Sequence, residues 1–199
     1  KLNKKLSKFV LKPRIKLMQI ELNKYNNSWY KPGKSKLILF VWYCVNATFI
    51  NSYIIPISSF KVFLLRSFGA KIGKNVNIKP KVNIKYPWKL EIGDYTWIGE
   101  EVWIDNLEKV VIGKNCCLSQ GSMILCGNHH HAKSTFDLIV RPVILEDGAW
   151  IGAKSVVCPG VTLNTNALLT VHSVATKSLD ANSIYQGNPA VKIKDRIIV

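Results

Sequence analysis

Four histidines stand in this chain, and three are consecutive: His129, His130 and His131, with His172 apart. Imidazole is the side chain that exchanges a proton near neutral pH, so the triplet is the first place to look for general acid–base work. It is a poor metal site, because neighbouring side chains on one segment do not converge on a tetrahedral ion. Five cysteines (Cys44, Cys116, Cys117, Cys126 and Cys158) form an odd set without CxxC spacing. That argues against a disulfide framework or a zinc knuckle, and for a reducing compartment.

These residues need a scaffold, and composition allows one. Of 199 residues, 48% are hydrophobic and 20% charged, which excludes wholesale disorder and suits one compact domain with an N-terminal appendage. The net charge of +16 is unevenly spread. Residues 1–89 hold nineteen Lys/Arg and one acid, Glu21; residues 90–199 hold nine Lys/Arg and eleven acids. Such a basic half suits an anionic neighbour, or reflects a Lys/Asn/Ile-rich background. Nucleic acid is not expected, since aromatic interleaving and motif context are lacking. Residues 37–65 are apolar in two stretches broken by Asn46, Asn51, Ser52 and Pro56. The breaks argue against a bilayer span and predict a packed helix pair or a membrane-surface element.

From Ile72 onward aliphatic residues lead units of six. IGKNVN, IKPKVN and IKYPWK are followed, after two residues, by IGDYTW, IGEEVW and IDNLEK. After two more come IGKNCC, LSQGSM and ILCGNH. An insertion at about 130–144 precedes LEDGAW, IGAKSV, VCPGVT, LNTNAL and LTVHSV. Neither a 3.6-residue helix nor simple alternation produces this period. Each unit reads as one short strand and one corner, three units making a triangular turn. The leaders point inward and stack ~4.8 Å apart. The fourth following residue also points inward, at a corner, and is small or slim: Val76, Val82, Thr96, Val102, Cys116, Ser122, Ala149, Ser155, Val161, Ala167 and Ser173. The two-residue intervals after Lys89 and Lys109 read as corner insertions, and the long insertion as a loop that leaves the prism, where function is usually placed.

The register resembles the hexapeptide-repeat acyltransferases. More narrowly, LRSFGAKIG (65–73), PWKLEIGDYTWIGE (87–100), VWIDNL (102–107), GAWIG (148–152), CPGVT (158–162) and YQGNPAVK (185–192) resemble the colanic acid biosynthesis acetyltransferases over roughly residues 22–197. The resemblance implies an all-β core, a left-handed parallel β-helix with an N-terminal α-helical segment. Its expected organisation is a basic, helix-containing segment over 1–65, the β-helix over 66–182 and a tail over 183–199. It implies O-acetylation of a sugar hydroxyl in surface polysaccharide assembly, with acetyl-CoA as co-substrate and no metal.

The site residues follow from that resemblance. In the family the catalytic histidine follows a Gly-Asn or Gly-Ser pair; here Gly127-Asn128 precedes His129, the expected general base, with His130 the alternative one register away. A carboxylate or carbonyl should orient the imidazole, and Asp105, one turn earlier, is the expected group unless it only caps its corner. Coenzyme A contacts carry over to Trp150, Gly152, Ala153, Val171, Thr176 and Lys177, with Lys194 for the terminal phosphates. His172 stands where the family usually has Gly, next to Val171. The expected partners are two further copies in a homotrimer and a sugar or lipid-linked glycan acceptor, and the expected location is cytoplasmic; whether the basic half also makes a peripheral contact with an anionic membrane at its inner face is left open by the sequence. Two competing readings are a non-catalytic scaffold or membrane-docking module, and a metal-dependent carbonic-anhydrase-like enzyme.

Overall fold

The computed structural model describes residues 18–199. From Lys71 the chain winds into a parallel β-solenoid of about six turns. The first face stacks strands Lys71–Ile72, Leu90–Ile92, Val110–Ile112, Val143–Leu145 and Thr162–Leu163. The second stacks Asn77–Ile78, Trp97–Ile98, Cys117–Leu118, Trp150–Ile151, Leu168–Leu169 and Ser183–Gly187, with Ala190–Asp195 folded back antiparallel on the last. The third stacks Asn83–Ile84, Trp103–Asp105, Met123–Leu125, Val156–Val157 and Val174–Ala175.

The six-residue rhythm maps directly onto burial. The leaders are in register from turn to turn (Ile78 beside Ile98, Ile98 beside Leu118), and all fourteen are buried. So are all eleven slim residues expected at the corners. Two of the polar ones spend their hydroxyls on the winding itself: Thr96 Oγ1 donates to the Gly113 carbonyl at 2.8 Å and Ser155 Oγ to that of Thr170 at 2.6 Å, whereas the buried Ser122 Oγ has no partner among the described residues. The third residue after a leader takes a left-handed conformation, at Asn75, Asn115, Asn166 and His172 among others. Such backbone costs an ordinary L-residue roughly 1–2 kcal/mol and suits Gly or Asn. His172 is thus at a corner where glycine is the relaxed choice.

The extra two residues fall at the corner between the third and first faces, where Pro87–Lys89 makes a 3-10 turn. The long insertion runs over about 127–142, not 130–144. Val143 is fully buried and pairs with Val110, so it already belongs to the prism. The segment expected as a C-terminal tail supplies the outermost strand of the second face.

Two helices cover the open N-terminal end: α1 (Lys36–Val45), prolonged by a π-helical turn at Asn46–Ile50, and α2 (Ser58–Ser67). Their polar atoms occupy the edge of the first turn. Trp42 Nε1 donates to the Ile84 carbonyl at 3.0 Å, and Lys61 Nζ, fully buried, to that of Lys79 at 2.8 Å. Ser58 Oγ accepts from the Ile78 amide and donates to the Val76 carbonyl, while Arg66 clamps the Ile72 carbonyl. An open sheet edge invites further strands; here side chains fill the places a preceding turn would take. Burial lowers the Lys61 pKa from its ordinary 10.5, against the pull of Glu100.

Candidate active site

The insertion is itself ordered. Gly127–His129 pairs antiparallel with Leu138–Val140, His129 standing opposite Leu138. This hairpin projects from the edge between the third and first faces. Ahead of the helices, the described N-terminal segment returns to it: the Glu21 amide bonds the Ser134 carbonyl at 2.8 Å, and Tyr25 meets the His129 ring edge-on at 5.5 Å.

His129 is held from several sides. Its ring stacks on Phe136 at 4.3 Å with 5° between planes, and its Nδ1 lies 2.9 Å from the Phe136 carbonyl oxygen. A carbonyl can only accept, so Nδ1 carries the proton and neutral imidazole keeps its lone pair on Nε2. That tautomer takes a proton at Nε2. Phe136 contributes both ring and carbonyl from a left-handed backbone (φ 51°), a conformation that strains a bulky residue. It lies inside the insertion, outside the six-residue period, and no periodic signal marked it.

Asp105 does not orient this ring. Its carboxylate pairs with Lys85 at 2.9 Å, because the two stand at equivalent corner positions on successive turns of the third face. A carbonyl from the histidine's own hairpin takes the orienting role. His130 also lies on the loop, its amide bonded to the Asp137 carbonyl; its Nδ1 is buried without a hydrogen-bond partner. His130 and His131 rings lie 6.1 Å apart, and among the described residues no three His, Cys, Asp or Glu side chains converge as a metal site.

Five of the seven residues expected to hold coenzyme A divide between two edges of the prism, and Trp150 and Lys194 lie on the second face. Gly152 and Ala153 sit at the corner between second and third faces, with Val171 directly over them on the next turn. A Cβ on Gly152 would lie 2.6 Å from the Val171 amide nitrogen, so the winding itself demands glycine there. Val171 is 57% exposed, and the neighbouring His172 is also exposed, its amide bonded to the Ala153 carbonyl. Thr176 and Lys177 lie on the other edge, the one that carries the histidine hairpin. Trp150 stands outward on the second face, its Nε1 donating to Ser119 Oγ at 2.9 Å. Lys194 is on the returning strand opposite Ile184. The cation that reaches Trp150 is Arg196, 5.8 Å over the ring and bonded to the Gly148 and Asn166 carbonyls.

Two of the five thiols are shut away from this chemistry. Cys116 and Cys126 are buried, and burial pushes both pKa values up to about 11.

No protein-family model matches the chain. It is similar to a solved hexapeptide-repeat acetyltransferase from Vibrio cholerae, with a TM-score of 0.74 and 18% identity over 82% of this chain and 94% of that one. A second structure of that protein, with acetyl coenzyme A, also gives 0.74 and 18%, over 82% and 89%. The likeness lies in the fold, a stack of short strands wound from six-residue units. Among relatives by sequence, the galactoside O-acetyltransferase of Escherichia coli K12 is 25% identical over 66% of each chain. The colanic acid biosynthesis acetyltransferase WcaF of the same strain is 39% identical over 83% of this chain and 91% of its own length. The chain belongs to the family of that acetyltransferase.

Proposed function

We propose that this protein transfers the acetyl group of acetyl-CoA to a hydroxyl of a sugar unit in surface-polysaccharide biosynthesis, with His129 Nε2 as general base. The observation that carries this reading is the Nδ1 contact with the Phe136 carbonyl, which leaves Nε2 as the proton acceptor. A sugar hydroxyl is a weak nucleophile at neutral pH until a positioned base takes its proton. The alkoxide oxygen then bonds to the thioester carbonyl carbon, and the tetrahedral adduct forms. When it collapses the carbon–sulfur bond breaks. The imidazolium returns its proton to the leaving sulfur, giving the acetyl ester and free coenzyme A.

The division of the binding residues between two edges supports a homotrimer with sites between chains. One chain offers Gly152, Ala153 and Val171 on one edge, and His129, Thr176 and Lys177 on another. A second copy set edge to edge brings the two groups together. Exposed aromatic side chains on the second face, Trp97 (64%) and Trp150 (40%), beside a groove of about 530 Å³, are surface that such packing would cover. The family relation and the galactoside O-acetyltransferase likeness favour oxygen on a sugar as acceptor. Incubation with acetyl-CoA and a panel of soluble and lipid-linked glycans, followed by mass analysis, should show a 42 Da gain (~42, one acetyl for one hydrogen) that base treatment removes as an ester. A base-stable product would mean nitrogen is the acceptor, and no turnover on any glycan would overturn the reading.

A further inference from the structure

The helices that close the N-terminal end are apolar on the outside as well as the inside. Along α1 the outward positions recur at helical spacing: Leu37 is 72% exposed, Phe40 65% and Tyr43 69%. Ile54 (73%), Ile57 (59%) and Phe63 (62%) continue the apolar surface through the connection into α2. Trp42 and Ile50 face inward, so the core has its anchors without these residues. A water-facing helix normally turns charge outward, yet residues 37–60 contain no charged side chain.

The border of this surface is of one sign. Lys34 precedes α1 and Lys36 opens it. Lys79 and Lys81 lie on the first turn beneath the helices, Lys81 Nζ 5.1 Å over the Tyr53 ring. Lys74 shares a groove with Phe63 and Arg66. All five lysines are exposed, and none is held in an ion pair among the described residues. No acid occurs between residues 22 and 90; carboxylates begin on the second turn, at Glu91, Asp94 and Glu100.

From this juxtaposition we infer that the N-terminal end docks on an anionic lipid bilayer, the outward side of α1 entering the headgroup layer and the lysine rim meeting lipid phosphates. A second copy is a poor occupant, since face-to-face contact would bring two lysine rims together. An interfacial helix of this kind needs apolar area to insert and cations around it, and a single protein end supplies both. Docking here leaves the histidine hairpin, two turns further along the solenoid, outside the headgroup layer.

The test uses the full chain with vesicles of phosphatidylcholine alone, or mixed with phosphatidylglycerol. The protein should float with the mixed vesicles, not with the neutral ones, and binding should weaken as salt rises. Lys79→Glu with Lys81→Glu should lower binding by about tenfold or more. Leu37→Asn with Phe40→Asn, at exposed positions, should lower it by a similar factor while the unfolding curve stays put. Cys44, exposed on α1, takes an environment-sensitive fluorophore, whose emission should shift to the blue on the mixed vesicles only. Binding that ignores the Leu37 and Phe40 changes overturns docking through this face. So does a change in oligomeric state, in place of vesicle binding, when those residues are replaced. His129→Ala should bind vesicles like the unaltered protein, so docking and acetyl transfer succeed or fail separately.

Discussion

His129 has its tautomer set by a backbone carbonyl, which has a consequence for mutagenesis. No single side-chain substitution removes the acceptor, so the direct probe is the base itself. His129→Ala should lower kcat by about 10²–10⁴-fold, with coenzyme A binding retained. His130→Ala, whose ring neither stacks on Phe136 nor has its Nδ1 hydrogen-bonded, should stay within a few-fold of the unaltered enzyme. Steady-state kinetics beside equilibrium CoA binding checks both. The reverse pattern would move the base by one residue, and full activity in both variants would remove it from this loop. Leu138–Val140, by holding Gly127–His129 in an antiparallel pair, fixes which of the consecutive imidazoles turns toward Phe136.

At the scale of elements, the helical cap and the solenoid depend on each other through a few polar atoms. Trp42→Phe keeps the ring's packing against Phe68 but leaves the buried Ile84 carbonyl without its indole donor. Denaturant unfolding should register a loss of about 1–3 kcal/mol. Along the first face, Glu91 bridges Lys71 of the turn before and Lys109 beyond it, and those two bonds hold its carboxyl below the ordinary 4.5. The unfolded chain therefore binds a proton at higher pH than the folded one. The contribution of Glu91 is present above pH ~4.5 and is lost as pH falls through the folded value. These are exposed partners, so Glu91→Gln should cost at most about 1 kcal/mol at neutral pH, and the difference should vanish in acid. Paired thermal melts across that range measure it.

For the whole molecule, the proposed site takes its residues from two edges on neighbouring copies of the prism. Sedimentation should give a trimer. Mixing His129→Ala chains with chains carrying Val171→Glu, at an exposed position of the other edge, should restore a fraction of the activity that neither shows alone, because some mixed sites take both intact edges. An active monomer would end that account.

Much of this was legible in the order of residues. A period of six with buried leaders leaves one geometry, since only a three-strand winding returns every leader to the core, and all the expected inward positions are buried. Gly127-Asn128-His129 could be matched to a family motif because it sits where the period breaks. The partner of that histidine could not. Inside the insertion no repeat constrains which backbone atoms approach, and the nearest carboxylate by counting, Asp105, is neutralised by Lys85 one turn below. The limits of the insertion, the left-handed corner that makes His172 costly and the arrival of Arg196 over Trp150 likewise depend on chain segments distant in sequence. Local repetition fixes what each strand must bury; only the closed winding decides which loop, edge and terminus then meet, because those contacts are made between surfaces the repeat leaves free.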